Sequence, residues 1–163
     1  MIIRKTNPND NFEEIGNIYA NSWKQAYHNI VPQSYLDELD SSVWIDFLSN
    51  GQNETYVILE DGKYIGTSSI CPARDKKMTG FGEIISIYLL PEYFGAGYAE
   101  PLFTYVIDTL VKSGFCSICL WVLDENQRAK SFYEKQGFNP DGSTAELTIG
   151  GKSLKEIRYV KHY

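Results

Sequence analysis

Two short stretches of this chain hold the residues whose types and spacing could carry group-transfer chemistry. The first, Leu89-Leu90-Pro91-Glu92-Tyr93-Phe94-Gly95-Ala96-Gly97-Tyr98-Ala99, leaves a strand-like apolar run, crosses two glycines one residue apart and enters a helical pattern. A strand, a Gly-x-Gly turn and a helix start together expose backbone N–H groups and the positive end of a helix dipole. Such a site binds anions without a basic side chain. Gly95 and Gly97 permit positive φ and a close approach of main chain to ligand. Pro101 has no N–H and fits only the first helical turn, which sets the helix start at or after Gly97. The second stretch, Asn126 to Phe138, sets Ala129, Phe132 and Tyr133 along one helical stripe and closes on Gly137. Glu83 opens the strand that leads to the glycines.

Taken alone, Gly-x-Gly is also an ordinary turn, and a dinucleotide loop is the tempting misreading. The latter fails in detail. Glu100 occupies the third glycine position, Pro91 to Phe94 separates strand from first glycine, and no parallel βαβαβ series follows. Metal and thiol chemistry find little support. His28 and His162 are the sole histidines, and Cys116 and Cys119 lie in a β-forming run where positions three apart face opposite sides. With Cys71 they make an odd count that suits buried structural thiols in a reducing compartment. A net charge of −6, with no basic run beyond Lys76-Lys77, argues against a nucleic-acid partner. No apolar run approaches the roughly 18 residues that span a bilayer. Met1 to Thr6 lacks the apolar core of a signal peptide, so no membrane partner and a cytoplasmic location are expected.

The elements that must position these residues follow from periodicity. With 163 residues, 43% of them hydrophobic, the chain suits one domain, residues 1–163, around its own core. Ile2 and Ile3 begin a short strand. Phe12, Ile15, Tyr19, Trp23, Ala26 and Tyr27 mark a helix behind caps in Asn7 to Asp10. Pro32 opens a second short helix with Tyr35, Leu36 and Leu39 inward, and Ser41 or Ser42 caps a third. Thr55 to Glu60 and Tyr64 to Cys71 form a hairpin about Asp61-Gly62. A polar loop leads to strand Glu83 to Leu90, then the helix after Gly97, strand Phe115 to Val122, and the helix after Asn126. Strands Ala145 to Ile149 and Leu154 to Val160 close the chain. The order predicts an α+β, mixed α/β sandwich: a mostly antiparallel sheet with one parallel central pair and helices on both faces.

Two motifs now acquire a specific resemblance. Leu89 to Ala99 resembles the acyl-CoA loop of the GNAT superfamily of N-acetyltransferases, Gln/Arg-x-x-Gly-x-Gly/Ala after a strand ending hydrophobic-x-Pro, with Gly97 and Ala99 matching and Phe94 standing in place of Gln or Arg. The family's Asn-x-x-Ala-x-x-Phe-Tyr-x-x-x-Gly-Phe is met at every position by Asn126, Ala129, Phe132, Tyr133, Gly137 and Phe138. Ser22-Trp23, Tyr27, Ile30-Val31-Pro32 and Tyr35-Leu36-Asp37 are similar to the N-terminal helices of a common bacterial branch, so the resemblance spans nearly the whole chain. It implies acetyl-CoA as co-substrate, without metal, wedged between the splayed strands that carry Glu83 and Trp121. Backbone groups of Tyr88 and Leu89 would pair with the pantetheine arm. N–H groups across Gly95, Ala96, Gly97, Tyr98 and Ala99 would hold the pyrophosphate, and Asn126 would bond the pantetheine end.

Direct transfer needs a neutral amine. Deprotonating an ammonium of pKa about 10.4 at pH 7 costs on the order of 4–5 kcal/mol, part of which a general base can supply. The family resemblance points to Glu83 as that base, against the alternative of a solvated strand-end carboxylate. It also points to Tyr133 as the acid for the leaving thiolate, where periodicity alone favours a core aromatic. Trp23 and Tyr27 are candidates for the acceptor pocket, although core packing accounts for them equally well. His28 reads as a helix-end surface residue, and Asp37, Glu38 and Asp40 as a solvated face that could attract a cation. The expected activity is transfer of an acetyl group to a primary amine of a small molecule or peptide. The alternative, an acyl-CoA-binding sensor without turnover, is motivated by Phe94 and Glu100. The final strands could pair across a homodimer.

Overall fold

Alternation and helical spacing along the chain become twelve principal elements in the computed structural model, which describes residues 1–163. Strand β1 (Ile2–Lys5) precedes helices α1 (Phe12–Ala26), α2 (Gln33–Glu38) and α3 (Ser42–Ser49). The hairpin β2 (Glu54–Glu60) and β3 (Lys63–Pro72) leads to β4 (Gly82–Leu89), α4 (Ala99–Lys112) and β5 (Ser117–Leu123). Helix α5 (Gln127–Lys135) and strands β6 (Asn139–Ile149) and β7 (Lys152–His162) complete the chain. The seven strands form one sheet in the order β1-β2-β3-β4-β5-β7-β6, antiparallel throughout except for the parallel pair β4–β5. This is the mixed sheet with one parallel pair that the element order predicts. No helix is long and apolar enough to cross a membrane.

Successive residues of a strand face opposite sides, so β2 shows which helices cover which face. Val57 packs with Ile15 and Tyr19 of α1, whereas its neighbours Tyr56 and Ile58 join a core with Leu102, Phe103 and Val106 of α4. Helices α1 and α4 therefore cover opposite faces. Asn11 starts α1 by accepting from the N–H groups of Glu13 and Glu14 at 3.2 Å each, while its own amide donates to Glu14 Oε1 at 2.8 Å, a reciprocal cap. Tyr19 then pins α1 to the sheet. Its buried hydroxyl meets Ser69 Oγ of β3 at 3.0 Å and Ser86 Oγ of β4 at 2.9 Å.

The feature that makes a site is a local failure of pairing. Strands β4 and β5 are in register only over Gly82–Ile84 and Ile118–Leu120. Immediately beyond, the β3–β4 register jumps from Ile70↔Ile84 to Ser69↔Ser86, leaving Ile85 as an extra residue. A bulge bends and twists the strand that carries it, and here it steers β4 away from β5. From Ile85 onward the two strands diverge.

Element ends differ from the sequence reading where tertiary pairing intervenes. β6 starts at Asn139, well before Ala145, because pairing with β7 recruits a segment whose Pro140 and Gly142 carry no strand signal; the register shifts between Pro140 and Thr144. β5 starts at Ser117, since the Phe115 N–H instead closes the end of α4 on the Leu110 carbonyl at 3.2 Å, beside Gly114 at φ +96°. Cys71 and Cys119 are buried, Cys116 is exposed, and all three are free thiols. Burial pushes the Cys71 thiol up to about 11 and that of Cys119 up to about 12, which makes both unreactive.

Candidate active site

Divergence of β4 and β5 opens a cleft of about 380 Å³. Ile85 to Leu89 form one wall, Trp121 and Val122 the other. Phe94 and Ala99 also line it, as do Ala129, Phe132 and Tyr133 of α5 and Tyr27 at the C-terminal end of α1. Between Ile85 and Leu89 the β5-facing edge of β4 has no strand partner.

After β4, Pro91–Tyr93 make a single tight turn and Phe94 leads into Gly95 at φ +75° and Gly97 at φ +89°. A Cβ on either glycine would meet nothing within 4 Å. Glycine is therefore required here by backbone conformation, and the space above the loop is open. The N–H groups of Gly95, Gly97 and Tyr98 donate to no protein acceptor, and α4 begins at Ala99 with its first-turn donors free. Several unsatisfied N–H groups and a helix N-terminus thus share one concave loop, which suits a pyrophosphate. Glu100 is exposed and does not line the cleft. Phe94 does line it, and the Arg128 guanidinium lies 3.9 Å above its ring. Asn126 caps α5, its side-chain oxygen accepting from Ala129 N at 3.2 Å; the amide nitrogen has no protein partner and borders the cleft.

Three phenols converge in the cleft lining. The hydroxyls of Tyr27 and Tyr88 are 3.3 Å apart, and Tyr133 is near enough to raise the Tyr27 hydroxyl and to be raised by Tyr88. Burial raises the Tyr133 hydroxyl well above the ordinary phenol range, with Tyr88 adding to the effect. Burial likewise pushes Tyr88 up to about 12, against a lowering hydrogen bond from Tyr27. All three remain protonated at neutral pH and can act only as neutral donors or acceptors. Tyr133 makes no hydrogen bond to protein, so its hydroxyl is free for a ligand. Trp23 does not line the cleft. It stands edge-on to Tyr27 at 4.8 Å between ring centres, with its buried indole N–H lacking an acceptor.

The profile of the acetyltransferase (GNAT) family matches residues 14–138, from α1 through the loop, the cleft and α5. The chain belongs to this family. An uncharacterized N-acetyltransferase of Bacillus subtilis is 28% identical over 151 residues, covering 91% of this chain and 86% of that protein. A spermidine N(1)-acetyltransferase of Thermoplasma acidophilum is 24% identical over 166 residues, with 96% of each chain covered. The crystal structure of PaiA N-acetyltransferase from Thermoplasma acidophilum in complex with coenzyme A has the same fold, with a TM-score of 0.77 at 23% identity over 99% of this chain and 98% of that one. The protein is accordingly a GNAT enzyme, an acetyl-CoA-dependent N-acetyltransferase acting on an amine.

Within this GNAT cleft the residues expected from sequence take four kinds of position. Tyr88, Leu89, Phe94, Ala99, Asn126, Tyr133 and Tyr27 line it, while Gly95, Ala96, Gly97 and Tyr98 form its open loop. Trp23 stands behind Tyr27. Glu83 lies where β4 and β5 are still paired, outside the lining and only 2% exposed. Both of its oxygens are occupied: Oε2 accepts from the Arg74 backbone N–H at 2.9 Å, and Oε1 from Arg74 Nε at 3.1 Å and from Nη2.

Three contributions were not foreseen. The Tyr88 side chain, expected to act only through its backbone, reaches the phenol cluster; alternation along β4 points it to the α1 face, a signal the sequence does carry. Arg128 sits two residues after Asn126 and is found only by its stacking on Phe94. Glu156 of β7 is half-buried opposite Leu123 of β5. Burial raises its carboxyl above the usual range; Arg74 lowers it and Glu83 raises it further. No local motif marks Glu156, because its setting is assembled from β4, β5, β7 and α1.

Proposed function

We propose that the cleft between β4 and β5 binds acetyl-CoA with its pyrophosphate on the Gly95–Ala99 loop and its thioester beside Tyr133. The observation that carries this reading is the alignment of three unsatisfied features along one cleft: the free N–H groups of the loop, the unpaired edge of β4 and the unpartnered hydroxyl of Tyr133. Backbone groups near Tyr88 and Leu89 serve the pantetheine amides as a missing strand would, and the Asn126 amide N–H₂ serves its far end. Arg128, held flat by Phe94, supplies the positive charge that Gln or Arg would otherwise bring to position 94.

In the reaction a neutral amine nitrogen adds to the thioester carbonyl carbon, the C–S bond breaks and the sulfur takes a proton. Burial keeps Tyr133 protonated, so it meets the developing thiolate as a donor. Glu83, with both oxygens held by Arg74, influences the site through its charge and by fixing the start of β4. The Tyr27 and Tyr88 rings, with Trp23 behind Tyr27, form the apolar approach for a small-molecule or peptide amine.

The test combines calorimetry with coenzyme A and a thiol-release assay from acetyl-CoA over amines, polyamines, amino acids and peptide N-termini, with product masses measured. Spermidine belongs in the panel because of the Thermoplasma acidophilum relative. Micromolar binding of coenzyme A and amine-dependent thiol release are expected. Failure of coenzyme A to bind overturns the cleft assignment.

A further inference from the structure

We propose that Glu156 is the carboxylate that receives the acceptor amine as its ammonium form and takes the proton the amine must lose. This rests on the reading of the cleft as the acetyl-CoA site.

Strand register places the residue. Glu156 and Arg158 lie two apart on one face of β7, opposite Leu123 and Trp121 of β5. Trp121 lines the cleft, and Leu123 packs in the cluster that includes Trp23 and Tyr27, so Glu156 stands on the α1 face just outside the cleft lining, beyond the point where β5 has left β4. The charged groups that face it are Arg74 and Glu83 from the β3–β4 side. Tyr27, which caps the end of α1, and Tyr88 of β4 are close enough to feel its charge.

Every neighbouring charge is already committed. Arg74 binds both oxygens of Glu83, and Arg158 is shared among Asp75 at 3.1 Å, Asp141 at 2.7 Å and Ser143 Oγ at 2.6 Å. Glu156 alone has no hydrogen bond and no ion pair. Withdrawing a carboxylate from water without a partner costs free energy, and the cost is recovered when a cation arrives. The aromatic rings of Tyr27 and Tyr88, within range of its charge, suit an alkylammonium. Burial and Glu83 make Glu156 a better proton acceptor than an exposed carboxylate, whereas Glu83 is bound on both oxygens.

The protons balance. R–NH₃⁺ gives one proton to Glu156, which later releases it to solvent. The resulting R–NH₂ forms the C–N bond, the C–S bond breaks, and the nitrogen's second surplus proton reaches the thiolate by way of Tyr133, giving the amide and the free thiol. The acceptor class is an aliphatic primary amine, cationic at neutral pH, with no carboxylate beside its nitrogen.

The experiment compares wild type with Glu156→Gln, Glu156→Asp and the exposed control Glu146→Gln, using butylamine, spermidine and phenethylamine as acceptors and glycine as the carboxylate-bearing comparison. Coenzyme A affinity, melting temperature and the pH profile of kcat/KM are measured for each. Glu156→Gln is expected to bind coenzyme A within threefold of wild type and to lose about 100-fold in kcat/KM. It should also lose the acid limb of the profile, whose inflection in wild type lies above the ordinary carboxylate value of about 4.3. Glu156→Asp keeps that limb at reduced rate and remains informative if the Gln variant melts early. Glu156→Gln within threefold of wild type in kcat/KM overturns the inference and leaves the enzyme reading intact. Wild type that binds coenzyme A but turns over none of the three amines, or prefers glycine, also overturns it. Failure of wild type to bind coenzyme A removes the cleft reading itself.

Discussion

Gly97 and Gly80 have the same backbone angle, φ +89°, and at both a Cβ would meet no atom within 4 Å. Only Gly97 belongs to the loop proposed to hold the pyrophosphate. Replacing either by alanine forces an L-residue into the left-handed region at about 1–2 kcal/mol. For a chain of 163 residues that lowers the melting temperature by about 2–8 °C in both variants. The strain terms cancel in the comparison, so any difference in coenzyme A binding reports the loop. A Cβ at Gly97 stands in the open space where the pyrophosphate is proposed to approach. Losing one hydrogen bond to a charged group there costs about 1.5–3 kcal/mol, or about 10- to 150-fold in Kd. Calorimetric titration with coenzyme A, alongside thermal melts, should therefore show two equally destabilised proteins of which only Gly97→Ala binds weakly. Equal affinities for the two variants would refute the backbone cradle.

Three further outcomes follow from the same geometry. Tyr133→Phe removes the unpartnered hydroxyl and should lower kcat for thiol release by about 100-fold, with coenzyme A affinity within threefold of wild type; a normal kcat removes Tyr133 from the reaction. Arg128→Ala should weaken coenzyme A binding by about tenfold at low ionic strength and by less in high salt, because an exposed cation is screened; a salt-independent effect would mean that the loss is packing against Phe94. Asp10, 3% exposed in its side chain, accepts from Arg4 at 2.6 and 2.8 Å, Tyr64 at 2.7 Å and Asn7 N at 2.7 Å. The Arg4 hydrogen bonds hold its carboxyl well below the usual carboxylate range. Its contribution is therefore complete above the unfolded value of about 3.9 and is lost as the pH falls toward the depressed folded value. Asp10→Asn should cost about 1–3 kcal/mol at pH 7 and flatten the acid side of the melting-temperature profile; parallel profiles would count against the pair.

Much of this fold is written in short-range pattern. Gly114 and Gly137 end helices, and the period of two in β2 and β3 assigns their faces, because each depends on a few neighbouring residues and on backbone angles those residues favour; the cap of α1 falls on Asn11, one residue beyond the expected Asn7 to Asp10. The same holds for the glycine loop and for the Asn126 to Phe138 motif, whose side chains are brought together by one helix and its ends. These local rules determine the element order, the single parallel pair and the half of the cleft proposed to face the cofactor.

The acceptor-facing half is decided only in three dimensions. An extra residue at Ile85 opens the cleft, and nothing in the run Glu83-Ile84-Ile85-Ser86 distinguishes a bulged strand from a straight one; the bulge exists because β3 pairs on one side while β5 leaves on the other. Glu83 is sealed by Arg74, nine residues earlier, while Glu156, seventy-three residues after Glu83, is left without a partner. Both outcomes turn on which charges the sheet register brings within hydrogen-bond reach. The sequence alone determined which residues could bind an acyl donor, since backbone conformation and helix ends are local properties. Which carboxylate stays unpaired was decided by tertiary structure, since desolvation and charge pairing depend on neighbours that only the folded sheet supplies.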